Sequence, residues 1–233
     1  MREIVFDTET TGLDPKTGDR MVEIGCVELY NRVPTGETYH AYFNPQRDIP
    51  AGAEAVHGLS ASFLSDKPLF ADLADDLLYF LGDAPLVAHN AGFDFGFLNA
   101  ELTLIDFEPV CMTRMVDTVA IARKRHPGAK LSLDALCTRY GVDRSHRVKH
   151  GALLDAELLA QVYVELLGGR QIGLELAAEH HVGSGSTPGA VAAVIGRKPT
   201  GPVRPPRPHA ATDDELARHR KFMKGFDQPL WAR

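Results

Sequence analysis

Cysteine and tryptophan are scarce in this 233-residue chain, which has three Cys (26, 111 and 137) and one Trp (231). The cysteines stand far apart with no CxxC pair, so neither a zinc–thiolate site nor a disulfide framework is expected, and reduced thiols of a cytosolic protein fit better. No run approaches the ~18 uncharged apolar residues of a membrane-spanning helix. Arg2 and Glu3 stand where a signal peptide would carry its apolar core, so the chain reads as cytoplasmic. Basic charge is in deficit as well: 25 Lys and Arg against 31 Asp and Glu give a net charge of −6. Taken alone, that total argues against a nucleic-acid partner.

The distribution of charge reopens that possibility. Residues 114–149 hold nine basic and three acidic residues, and 197–233 hold nine basic and four acidic, leaving the remainder strongly acidic. A local basic segment suffices for phosphate contact whatever the total, although a solvated helix face is the simpler account. Hydrophobic residues at 44% and charged residues at 24% are ordinary for a globular protein. The length suits one domain with extensions.

The chain is organised around Val5-Phe6-Asp7-Thr8-Glu9-Thr10-Thr11-Gly12. Ile4 to Phe6 read as a short buried strand ending near Asp7. In extended backbone Asp7 and Glu9 point the same way. Two adjacent carboxylates repel unless a cation lies between them, although both could be solvated at a strand-to-turn junction. Strands are expected over 21–30 and 38–43, joined to the first as an antiparallel meander. A loop ends in Val56-His57-Gly58-Leu59, and residues 70–81 form an amphipathic helix with Leu73, Leu77, Leu78 and Leu81 as its stripe. Residues 85–89 read as a buried strand, with Asn90 as turn and N-cap of a helix over 91–104. On that helix Asp94, Phe97, Leu98 and Glu101 share a face; Asp94 there could serve only the helix dipole. A last short strand over 116–118 precedes helices over 119–125 and 131–140.

A final long helix opens near His150-Gly151-Ala152-Leu153-Leu154-Asp155 and reaches about residue 167. Its apolar stripe is Leu158, Leu159, Val162 and Leu166, and Asp155 lies on it. A carboxylate facing a core is costly unless hydrogen-bonded or bound to a cation, so Asp155 is the hardest acid to dismiss. Three strands followed by strands alternating with helices give an α/β mixed sheet flanked by helices.

The segments Asp7–Leu13, His89–Asp94 and His150–Ala156 resemble, in order, the three motifs of the DEDDh family of 3′→5′ exonucleases. The likeness spans about residues 2–170. Val56-His57-Gly58 and Ser132–Cys137 are similar to the proofreading (epsilon) subunits of bacterial DNA polymerase III within that family. The resemblance implies a ribonuclease-H-like fold with a mixed five-stranded sheet. It implies Asp7, Glu9, Asp94 and Asp155 as ligands of two divalent cations, Mg²⁺ or Mn²⁺, with Asp7 shared between them and His150 as general base. Thr8, Val56 and His57 match residues near the terminal nucleotide, beside Asp7, Glu9 and Asp155. His89 is expected to support the strand end. The implied activity removes mispaired 3′-terminal nucleotides of DNA as 5′-monophosphates. The same site would serve an exonuclease acting on RNA ends, and a purely structural polymerase subunit is a third alternative.

Beyond the domain (1–170), Gln171-Ile172-Gly173-Leu174-Glu175-Leu176 resembles a sliding-clamp binding motif and opens a short segment, 171–182. Residues 183–210 contain five Gly and six Pro, so 183–211 reads as a flexible linker. Thr212-Asp213-Asp214-Glu215 is a capping box, opening a helix with Leu216, Met223 and Phe226 as its apolar side. With Trp231, residues 212–233 form a tail that the resemblance assigns to the polymerase alpha subunit. A small theta-like subunit is left open.

Overall fold

Alternation along the first strand decides the layers of the domain. In the computed structural model, which describes residues 1–145, 147, 149–169 and 211–224, β1 (Arg2–Thr10) is the central strand. It pairs antiparallel with β2 (Met21–Tyr30), which pairs antiparallel with β3 (Val33–Tyr42). On its other side β1 runs parallel to β4 (Leu86–Ala88), and β4 runs parallel to β5 (Met115–Asp117). The order β3-β2-β1-β4-β5 is the expected mixed five-stranded sheet, with the first three strands as a meander.

Residues directly opposite in an antiparallel pair share a face, so the register sorts side chains into two layers. Ile4 and Phe6, with Ile24 and Cys26, join the core beneath α3 (Phe70–Leu81) and α4 (Gly92–Leu104). Val5, with Val27 and Leu29, faces α7 (Ala152–Leu166) and packs on Ala156, Leu159 and Tyr163. The latter helix also packs against α5 (Thr118–Arg125) and α6 (Leu133–Tyr140) through Leu158, Val162 and Leu166. Burying each large aliphatic or aromatic side chain contributes roughly 1.5–3 kcal/mol before entropy is counted.

Several boundaries differ from the sequence expectation, for local physical reasons. β1 continues past Asp7 to Thr10 because pairing with β2 persists to Glu9↔Glu23, where the register slips. Residues 51–57, expected as loop, form helix α1 (Ala51–His57), which starts after Pro50 and is closed by Gly58 in the left-handed region at φ 78°. A second short helix, α2 (Ala61–Leu64), follows with Ser60 as its cap. The buried side of α3 is Phe70, Ala74, Leu77 and Leu81, with Leu73 and Leu78 only partly buried. Asn90 does not cap α4: it takes a left-handed conformation (φ 65°), and Ala91 occupies the cap position. The Asp117 carboxylate accepts from the backbone N–H groups of Asn90 and Val119, so it holds the β4–α4 turn while capping α5.

The short β4 creates the cleft. It matches β1 only at Ile4↔Leu86 and Val5↔Val87, so Asp7 to Thr10 run beyond it along an open edge. Clefts in α/β sheets form at such carboxyl ends of strands. The C-terminal helix α8 (Asp213–Met223) begins with the expected Thr212–Glu215 capping box and has no buried residue. It belongs to a separate compact unit, 178–233, whereas the sheet and α1 to α7 lie in the unit 1–177. The clamp-like segment at 171–176, most of the linker, Phe226 and Trp231 lie outside the described residues.

Candidate active site

Period-two alternation places Asp7 and Glu9 on the α7 face of β1, and the register puts Gly25 opposite Asp7. A Cβ on Gly25 would lie 2.2 Å from the Leu153 nitrogen, so only glycine lets the first turn of α7 settle on the sheet there. That approach brings Asp155 to the two strand acids. Asp155 is 2% exposed, and its oxygens, those of Glu9 and a ring nitrogen of His150 include atoms within 4.8 Å of one another. Thr8 points the other way, toward α4, where its N–H (3.1 Å) and hydroxyl (2.8 Å) both donate to one oxygen of Asp94. Asp94 is 3% exposed.

Asp7, Thr8, Glu9, Asp94, His150 and Asp155 therefore line one cleft of about 270 Å³, together with His89, Asp134 and Arg147. All five residues expected to carry the chemistry are brought together. His150 is exposed just ahead of α7, its Nδ1 3.4 Å from Asp155. Its backbone N–H reaches the Val56 carbonyl at 3.3 Å, tying the third motif to the end of α1. Val56 and His57 line a second, more apolar cleft that shares Thr8, Glu9 and Phe93 with the first. Nδ1 of His57 accepts from the Leu59 N–H (3.0 Å), which leaves the proton on Nε2. That Nε2 is buried and, among the described residues, has no hydrogen-bond partner. His89 bonds the Thr118 hydroxyl at 2.9 Å, in keeping with a supporting role.

The electrostatics explain why a cation suits this cleft. Burial pushes Glu9 up to about 8, with Glu23 and Asp155 adding repulsion. Burial also raises Asp94 to about 7, against the opposing hydrogen bonds from Thr8. Asp7 is pushed well above the usual carboxylate range by burial, then by Asp94, Glu9 and Asp155, with Arg147 the opposing charge. Acids held this way are relieved by a hard cation with oxygen ligands, and the four carboxylates fit one.

The sequence reading missed three residues that shape this site. Gly25 required knowledge of the β1–β2 register. Glu23, 3% exposed, lies opposite Glu9 and pairs with His40 at 2.7 Å. Arg147 stands eight residues before Asp155 and grips both its oxygens, at 2.5 and 2.6 Å. The basic run around it is partly structural: Arg114 donates to the carbonyls of Ala84 and Leu81, and Arg125 to that of Leu166.

An exonuclease family (RNase_T) matches residues 4–163. The DNA polymerase III subunit epsilon of Rickettsia conorii is 46% identical over 231 residues, covering 96% of this chain and 95% of that protein. The chain belongs to the DNA polymerase III epsilon-subunit family. The subunit of the same name from Escherichia coli is 40% identical over 225 residues, covering 94% and 90% of the two chains. Among solved structures, exonuclease X in complex with 5′-overhanging duplex DNA matches with a TM-score of 0.57 at 25% identity, over 71% of this chain and 90% of its own. The nuclease domain of 3′hExo, a DEDDh family member, shares the fold with a TM-score of 0.62 at 17% identity, over 72% and 92%. Membership of the epsilon family makes this chain a 3′→5′ exonuclease with a proofreading role in replication, and implies divalent metal ions.

Proposed function

We propose that the cleft removes mispaired 3′-terminal deoxynucleotides as 5′-monophosphates, with Asp7, Glu9, Asp94 and Asp155 holding two divalent cations, Mg²⁺ or Mn²⁺. The observation that carries this reading is the convergence of four acids with raised or cation-paired carboxylates beside His150. When bound, such cations supply Lewis-acid stabilisation of the attacking and leaving oxygens of a phosphodiester. Asp7, which feels the charges of Asp94, Glu9 and Asp155, would hold a cation together with each of them. Thr8 fixes Asp94 in place through its two hydrogen bonds.

His150 acts as general base. It is exposed at the cleft mouth, where a ring nitrogen can take the proton of the attacking water. The adjoining apolar cleft receives the terminal nucleotide: Val56 supplies apolar contact and His57 offers the Nε2 proton that lacks an acceptor. Asp7, Glu9 and Asp155 line the same cleft and would hold the cations that neutralise the terminal phosphate.

Residues 171–176 are proposed to bind the sliding clamp and 212–233 the polymerase alpha subunit, joined by the 183–211 linker. Support comes from the likeness to the Rickettsia conorii subunit, which extends over 96% of the chain and so takes in the tail. A theta-like small subunit is a further candidate partner, and the work is done in the bacterial cytoplasm.

The deciding experiment follows release of mononucleotides from paired and mispaired DNA 3′ ends, and from matched RNA ends, with and without Mg²⁺ or Mn²⁺. Metal-dependent trimming that is faster on mispaired DNA and abolished in Asp7→Ala is expected. Equal rates for the parent and Asp7→Ala would overturn the site assignment.

A further inference from the structure

Arg147 belongs to none of the three motifs, yet it has the most extensive contacts of any charged side chain in the cleft. Its Nε and Nη2 donate to the two oxygens of Asp155 at 2.5 and 2.6 Å. Its Nη1 donates to Asp134 at 2.8 Å, and Nη2 lies 2.9 Å from Nδ1 of His150. The side chain is 10% exposed, whereas Asp134 is 47% exposed and also pairs with Arg144 at 2.9 Å.

A two-pronged guanidinium–carboxylate pair is short, strong and directional. It engages both oxygens of Asp155, and its positive charge stands where a divalent cation held by that carboxylate would be repelled. Asp134 offers the guanidinium a second acid, more open to solvent and outside the ligand set.

We propose that Arg147 is a positioning residue that occupies Asp155 in the metal-free protein and must yield it, while keeping Asp134, for a cation to be loaded. This rests on the reading of Asp155 as a metal ligand. In this arrangement Arg147 keeps Asp155 and His150 aligned before loading and lowers the affinity of the metal that replaces it. A purely structural arginine would do the opposite, since its loss would disorder the ligands and weaken metal binding.

The test uses the full chain and Mn²⁺ alone, with no DNA, measuring calorimetric affinity and the thermal midpoint with and without metal. Arg147→Met removes the charge and adds no oxygen ligand; Arg147→Lys keeps the charge but loses the fork. Arg147→Met is expected to bind Mn²⁺ about tenfold more tightly, equivalent to roughly 1.4 kcal/mol. Its midpoint should gain more from Mn²⁺ than the parent's, with Arg147→Lys in between. If Arg147→Met does not fold without metal, recovery of a cooperative transition in Mn²⁺ supports the proposal and failure to recover overturns it. Unchanged or weaker binding in a folded Arg147→Met also overturns it. A parent chain that binds no Mn²⁺ and gains no stability from it would instead sink the underlying assignment of the acids as metal ligands.

Discussion

Gly25 and Leu153 meet backbone to backbone across the sheet, with the Cβ that any other residue would carry at 25 lying 2.2 Å from the Leu153 nitrogen. Gly25 is opposite Asp7 in the strand register, and Leu153 is two residues before Asp155. This one approach therefore sets the distance between the strand acids and the helix acid. Gly25→Val should lift the first turn of α7 off β2, destabilising the fold by about 1–3 kcal/mol, the usual range for overpacking. Exonuclease activity should fall further than stability does. Thermal unfolding and single-turnover trimming, measured together below the unfolding midpoint, check both; retained activity would show that the approach does not set the site.

Thr8 holds Asp94 by two donors, one of them a side-chain hydroxyl to a buried carboxylate. Hydrogen bonds to charged groups contribute roughly 1.5–3 kcal/mol. Thr8→Val keeps the shape and the backbone donor while deleting the hydroxyl, so metal affinity should weaken by about tenfold or more. Thr8→Ser should restore it. Titration with Mn²⁺ measures both variants, and an unaltered affinity in Thr8→Val would dismiss the hydroxyl's part.

The pH dependence of the metal-free protein follows from Glu9 at about 8, Asp94 at about 7 and Asp7 above the usual range, all raised first by burial. Unfolded carboxylates titrate near ~4, so folding takes up protons at these groups. Their stability contribution is full below about pH 4 and is lost as pH rises through the folded values. Burial lowers His57 and His89, which opposes that trend as they titrate below about pH 6.5. The clean window is thus about pH 6.5 to 8.5, where the thermal midpoint in chelator should fall as pH rises, while saturating Mg²⁺ flattens the slope. A flat profile in chelator would contradict the raised acids.

Within its own unit, α8 begins with its capping box and leaves Leu216 and Phe222 exposed at 42% and 64%. Deleting 212–233 should abolish capture by the polymerase alpha subunit in a pull-down while leaving the trimming of single-stranded 3′ ends unchanged. Capture that survives the deletion would move the docking site elsewhere.

Much of this molecule was legible without coordinates, for reasons particular residues show. Asp155 stood on a helical stripe whose other members, Leu158, Leu159, Val162 and Leu166, are all buried, so its own burial at 2% exposure followed from the 3.6-residue period. The same period put Asp94 on a face with Phe97, Leu98 and Glu101, all buried too. Asp7 and Glu9 shared a face because a strand repeats every two residues. Local periodicity is a property of the chain itself, and it determined which acids face inward, while the resemblance to the DEDDh family assigned each to its motif.

What only the tertiary structure decided is which residues become neighbours across elements. Strand register set Gly25 against Asp7 and Glu23 against Glu9, and no periodic pattern within either strand contains that pairing. The fold of the segment before α7 set Arg147 on Asp155, although the nine basic residues of 114–149 had suggested phosphate contact or a solvated helix face. Contacts between distant segments depend on how helices dock and where β4 stops, and those are settled by packing over the whole domain. The sequence thus named the acids of the cleft, and the packed fold supplied the glycine that lets them meet and the arginine that holds one of them.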